Sequence, residues 1–390
     1  MPRLRSNTRI VTILSAVAAV AAIILPTVGL EGVDLADLPR AEPEDVGMSS
    51  ERLKRIDATM QRYVDSNQLA GTVTLIARHG KVVHVSAQGW RHREANQPMT
   101  PDTIFTIMSM TKPIVSTALM MLYEEGHFLL DDPISKWLPE YENMQVRLDP
   151  APPGRPTEPA IRPLTVRHVL THTSGLSLRP DFRPDYLRLP EQGNIERPRT
   201  VSETIGRAAD LPLAFHPGDD WQYGASTDYV ALLVEKISGM NVQDFLEERL
   251  FQPLGMEDTH YNVPRSKVDR VAGVYRHTGP NNTIELLRPP IYLEPNTYYG
   301  GVAGLNSTVA DYFLFHQMML NGGELNGVRI LSPRTINLMI SNHTGDKDVY
   351  VWGPGYGWGL GYCIVLDPGL ATEHISPGTF FWTGAYNTIS

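Results

Sequence analysis

The chain has 390 residues, of which 42% are hydrophobic and 20% charged, a balance that fits a globular body too long for one comfortable core. A net charge of −9 excludes a nucleic-acid binder that works through a basic face. A single cysteine, Cys363, excludes an intramolecular disulfide and a cysteine-based zinc cluster, and its place in an apolar strand-like run predicts a buried, inert thiol.

The N-terminus carries Arg3, Arg5 and Arg9 ahead of an apolar run from Ile10 to Leu25, followed by Pro26 and small residues. This is the layout of an export signal over residues 1–29, with retention as a membrane tether as the alternative. Either predicts a periplasmic or extracellular location. Next, Ser49 to Val64 reads as an amphipathic helix with Leu53, Ile56, Met60 and Val64 on one stripe. A β-hairpin follows, from Gly71 through a His79-Gly80 turn to Ser86. Thr111 to Glu125 is the strongest helix, with Gly126 to end it.

The middle of the chain differs. Pro-rich stretches at Asp149–Pro163 and Arg179–Arg199 read as loops, between helical pieces at Val166–His172, Val201–Ala209, Asp228–Ser238 and Val242–Leu250. Beyond Gly300 come a helix at Val309–Leu320 and strands at Tyr356–Leu366 and Thr379–Trp382. The expectation is an α/β unit assembled from 42–125 and 300–390, with a mostly helical unit over 126–299 inserted between the two.

Three short segments carry chemistry. In Ser109-Met-Thr-Lys112, a serine at a helix N-terminus has free backbone N–H groups beside it, and its own can face an oxyanion. A lysine at i+3 shares its face, and a desolvated lysine becomes a useful base. Tyr223, just ahead of a helix, can present a phenol to that pair and exchange the serine proton. Trp382-Thr383-Gly384-Ala385 is a strand edge whose glycine lets substrate lie alongside while one backbone N–H supplies a second oxyanion donor. His168 and His172, at i and i+4, have a metal-like spacing but no third ligand, and read as structural; no metal or cofactor is expected.

Ser-Met-Thr-Lys-Pro-Ile, Leu170-Thr-His-Thr-Ser-Gly-Leu176, Tyr223, Pro253-Leu-Gly-Met256, Gly300-Gly-Val-Ala-Gly-Leu305, Leu320-Asn-Gly-Gly-Glu324 and Trp382-Thr-Gly384 occur in one order. Together they resemble the class C β-lactamase and family VIII carboxylesterase superfamily, from about Glu42 to the end. The resemblance implies a β-lactamase/transpeptidase-like α/β fold, a central antiparallel sheet flanked by helices plus a mostly helical domain. It also implies Ser109 as nucleophile, Lys112 and Tyr223 sharing the proton work, the N–H groups of Ser109 and Ala385 as oxyanion hole, and Trp382, Thr383 and Gly384 along the substrate.

Three departures bear on activity. The lactamases typically carry Tyr-x-Asn where this chain has Ala225, and a lysine where it has Trp382. Both changes remove polar recognition of a lactam, and the tryptophan resembles the esterase branch. The family also continues past this strand into further sheet strands and a terminal helix, so the resemblance implies an α/β half cut short at its C-terminus. The leading expectation is a serine carboxylesterase acting on a small-molecule ester through an acyl-enzyme. The rivals are a β-lactamase or D-amino acid peptidase, acting on an amide, and a non-catalytic penicillin-binding-like module.

Overall fold

The computed structural model describes residues 35–148, 156–176, 200–278, 283–291 and 295–390. The export signal or tether lies outside the described residues, as do residues 149–155 of the first Pro-rich loop and all of the second. Among the described residues no helix is long and apolar enough to cross a membrane.

The helix expected from Ser49 runs over Ser50–Asp65, capped by the Ser49 side chain, which accepts from the Arg52 N–H. The hairpin pairs Gly71–Arg78 with Lys81–His92. Its turn residues His79 and Gly80 both take positive φ, 54° and 73°, which is the geometry that matches the right-handed twist of two antiparallel strands. Gln97–Pro98 adds a third strand.

Further antiparallel strands come from the other end of the chain. The single strand expected over Tyr356–Leu366 is instead a tight pair, Tyr356–Trp358 and Cys363–Val365, with Phe380–Phe381 beside the second. Gly359 and Gly361 break the run, and the Gly359 N–H closes the turn onto the Tyr362 carbonyl at 2.8 Å. Among the described residues these strands form two separate three-stranded antiparallel sheets, beside five two-stranded pairs, and the fold is of the expected α/β type.

The region from 126 to 299 holds more strand than expected. Val274–Thr278 pairs with Thr283–Arg288, and Gln145–Arg147 with Thr157–Pro159. Its helices lie where expected, with one local difference. Val242–Leu246 passes through a π-helical turn, Glu247–Phe251, before Gln252–Leu254. Pro253 explains it: a proline cannot donate to the helix ladder and its ring crowds the carbonyl four residues back, so the turn widens.

Thr111–Glu124 is the central helix, and every side chain from Thr111 to Leu122 is buried. A helix buried on every face, its few polar side chains included, sits inside a core. It packs against Ser226–Ser238, and both helices belong to one continuous cluster with Val309–Leu320. A second, aromatic cluster joins Trp221, Tyr356, Trp358, Phe381 and Trp382, with Cys363 buried in it. Burial pushes that thiol up to about 12, so it is inert at neutral pH.

Candidate active site

The turn that delivers Ser109 is set by a strained residue. Met108 takes φ 49°, a left-handed conformation costing roughly 1–3 kcal/mol for a non-glycine, and it opens the one-turn 3-10 segment Met108–Met110 that runs into the central helix. Tertiary bonds hold this strain in place: Tyr312 donates its hydroxyl to the Met110 carbonyl at 2.8 Å, and Leu305 donates its N–H to Thr111 Oγ1 at 3.2 Å. Ser109 is half-buried.

One turn on, Lys112 is fully buried, and its Nζ donates to Ser109 Oγ at 3.2 Å and to the Val302 carbonyl at 2.9 Å. Burial pulls its ammonium from the ordinary lysine range down to about 7, against the opposing charge of Asp228. An amine titrating near neutral pH beside a serine hydroxyl can take part in proton transfer, which an ordinary lysine cannot.

Tyr223 lies in the extended segment just before Ser226–Ser238. Its ring covers the amine, with Lys112 Nζ 4.6 Å from the ring centroid. The phenolic oxygen is bonded to the Ser109 hydroxyl and accepts the indole N–H of Trp382 at 3.2 Å. Burial pushes the phenol up to about 12, while those two hydrogen bonds act in the other direction. The Tyr223 backbone N–H donates to the hydroxyl of Tyr350 at 3.2 Å.

The strand Thr383–Gly384 closes the other side. A Cβ at Gly384 would lie 2.3 Å from the Ile107 carbonyl oxygen and 2.1 Å from Thr388 Oγ1, so only glycine lets the strand approach the nucleophile turn this closely. Thr388 returns in the paired strand and donates its hydroxyl to the same Ile107 carbonyl at 3.2 Å. Ala385 follows at the exposed turn, and Thr383 is half-buried. Trp382, expected along the substrate, is only 2% exposed, and its indole N–H is spent on Tyr223.

Ser109, Lys112, Tyr223 and Trp382 therefore form one bonded group, and Gly384 abuts the turn that carries the serine. His168 plays the structural part expected of it: its Nδ1 accepts the Thr165 N–H at 3.1 Å in a capping box at the start of Val166–Leu170. His172 does not stay beside it. Its buried ring packs 4.9 Å from Tyr223 and 5.0 Å from Trp358, and burial together with the Lys112 charge holds it well below the usual histidine range, so it is neutral. Sequence reasoning also missed Asp228, Tyr350 and the Val302 carbonyl. An acid in the first turn of the helix after Tyr223 was the one available signal for Asp228; nothing local marks the other two.

This arrangement can be compared with known proteins. The family model described as Beta-lactamase matches residues 56–389. The chain belongs to the beta-lactamase family. Within it, the chain is 34% identical over 345 residues to Protein Rv1367c of Mycobacterium tuberculosis, covering 85% of this chain and 84% of that one. It is 31% identical over 353 residues to Esterase EstB of Burkholderia gladioli, covering 85% of each. Among solved structures it is similar to EstCE1, a hydrolase with promiscuous acyltransferase activity, with a TM-score of 0.68, 26% identity and coverage of 86% of this chain and 89% of that one. Family membership and these esterase relatives make the chain a serine hydrolase.

In this beta-lactamase family member the Trp382–Tyr223 hydrogen bond separates two roles for the indole. Trp382→Phe keeps an aromatic ring and deletes the donor. A hydrogen bond to an ionised phenolate is worth about 1.5–3 kcal/mol, so without the indole donor the anionic form of Tyr223 that would accept the serine proton is less populated, and kcat should fall roughly ten-fold or more with KM little changed. Steady-state kinetics on a chromogenic ester decide it. A raised KM with unchanged kcat would make Trp382 a wall and nothing more.

Proposed function

We propose that the chain is a carboxylesterase that forms an acyl-enzyme on Ser109. The observation that carries this reading is the buried Lys112 amine, 3.2 Å from Ser109 Oγ and under the Tyr223 ring. Ser109 Oγ attacks the ester carbonyl, and its proton passes to the Lys112–Tyr223 pair. That pair acts as one titrating unit, whose active form has lost one of its two protons. The tetrahedral oxyanion is held by the backbone N–H groups of Ser109 and Ala385. The pair returns its proton to the departing alcohol, and water, activated in the same way, releases the acid.

An uncharged ester is favoured over a lactam by what surrounds the serine. Ala225 offers a methyl group beside Tyr223, and Trp382 offers no cation to a substrate carboxylate while its N–H already serves Tyr223. The esterase relatives support the same substrate class. The Arg-flanked apolar run at Ile10–Leu25 supports export of the enzyme.

Side-by-side hydrolysis of a chromogenic short-chain ester and a chromogenic cephalosporin tests the substrate class. The ester should turn over with a kcat/KM at least ~10²-fold higher, the scale on which lost polar contacts discriminate. Cephalosporin turnover equal to or above it would move the chain to the lactamase branch.

A further inference from the structure

The buried carboxylate of Asp228 is not part of the scheme above, yet it is built into the same group. It lies in the first turn of Ser226–Ser238, where the helix dipole favours negative charge, and is 9% exposed. Its oxygens meet donors: the Val302 N–H at 2.9 Å, the Tyr298 hydroxyl at 3.1 Å, and the Gly301 N–H. Val302 then presents its carbonyl to Lys112 Nζ at 2.9 Å. A single residue of the loop is thus bonded to the carboxylate through its N–H and to the amine through its C=O.

The loop is shaped for this contact. A Cβ at Gly301 would fall 2.0 Å from the Thr227 carbonyl, and one at Gly300 would fall 2.9 Å from Asp228 Oδ1. Side chains at either position would lift the loop off the helix, and with it the carbonyl that holds the amine.

We infer that Asp228 is a positioning residue for Lys112: it fixes the Val302 carbonyl against the amine, and its charge sets the pH at which the Lys112–Tyr223 pair yields its proton. This rests on the hydrolase reading above. Burial of an unpaired carboxylate is costly, and hydrogen bonds alone offset that cost only in part, so a nearby cation is the natural complement. Burial lowers Lys112 and Asp228 pulls it back up, the one carboxylate acting on that amine among the described residues; burial also raises Asp228 above the ordinary carboxylate range, against the Val302, Tyr298 and Gly301 donors and the Lys112 charge that lower it. The other titratable groups that face the pair carry no charge at neutral pH. His172 is held neutral. Tyr223 is pushed up to about 12 by burial, and Tyr261 and Tyr298, which face Asp228, are pushed above the ordinary phenol range.

The sign follows. Removing the charge leaves Lys112 with burial alone, so the pair loses its proton at lower pH. The test is the pH dependence of p-nitrophenyl butyrate hydrolysis by the wild-type chain, Asp228→Asn and Ser109→Ala, with folding checked by circular dichroism and melting. Asp228→Asn should move the acidic limb of kcat/KM down by on the order of one pH unit, the scale of shift that a nearby opposite charge produces. Its kcat should fall about ten-fold, through a misplaced amine, while KM stays within about two-fold.

Gly301→Ala, which keeps the carboxylate and displaces the loop, should shift the limb the same way and carries the test if Asp228→Asn does not fold. A folded variant of either kind whose profile superimposes on the wild type overturns the inference, as does a rise in KM with kcat and profile unchanged. Full turnover by Ser109→Ala would instead overturn the hydrolase reading beneath it.

Discussion

Ser109→Ala should reduce ester turnover by at least ~10⁴-fold, to the level of binding and oxyanion stabilisation alone, with little change in melting temperature. The size follows from chemistry: without Oγ no acyl-enzyme forms, and the remaining groups cannot supply another nucleophile. Cys363 is buried in the aromatic cluster with its thiol held protonated, and so cannot substitute. Stability should hold because Ser109 is half-buried and the Met108 turn is anchored by Tyr312 and Thr111, which the substitution leaves alone. Progress curves with excess protein, against an equal amount of heat-denatured protein, measure a change this large.

The second large effect is at Lys112. Lys112→Met fills the same buried channel with an uncharged side chain of similar length, removing the amine without opening a cavity. Turnover should fall about 10²–10⁴-fold, the usual contribution of a placed general base. The pH profile should change with it. In the wild type the pair holds both protons below about 7, where burial has placed Lys112, and activity should rise as pH passes through that value. With methionine in place that rise should disappear, leaving only the slope of hydroxide attack. Melting should fall, because the exchange leaves the buried Asp228 carboxylate without its nearby cation and the Val302 carbonyl without its donor. A rise in activity through pH 7 that persists in Lys112→Met would assign the titration to another group.

Much of this was legible from residues close in sequence. The helix period from Thr111 onward, the apolar residues around Lys112 and the serine one turn earlier determine that a lysine is buried beside a hydroxyl, because i and i+3 share a face whatever the rest of the chain does. The first hairpin was equally local: alternation with a His79-Gly80 turn. By contrast, the pair Val274–Thr278 and Thr283–Arg288 is poorly marked in the sequence: Val-Tyr-Arg-His-Thr runs from buried to exposed without alternating, and only its partner strand has a period of two.

The parts of the site that sequence could not supply are those made by long-range contact. Val302 reaches Lys112 across 190 positions, and Trp382 reaches Tyr223 across 159. The resemblance places Trp382 along the substrate, whereas its neighbours turn the indole N–H toward a phenol. His172 was paired with His168 by spacing, but φ 58° at His172 takes it off the helix and under the tyrosine. Spacing arguments fail where the backbone leaves the regular element that gives them meaning.

The most direct measurement is the intact mass of the protein quenched seconds after mixing with an activated ester, followed by peptide mapping. The account predicts one added acyl group on the peptide carrying Ser109, present in the wild type, accumulating when deacylation is slowed at low pH, and absent from Ser109→Ala. An acyl group on any other residue that is competent for turnover, or undiminished turnover by Ser109→Ala, would contradict it.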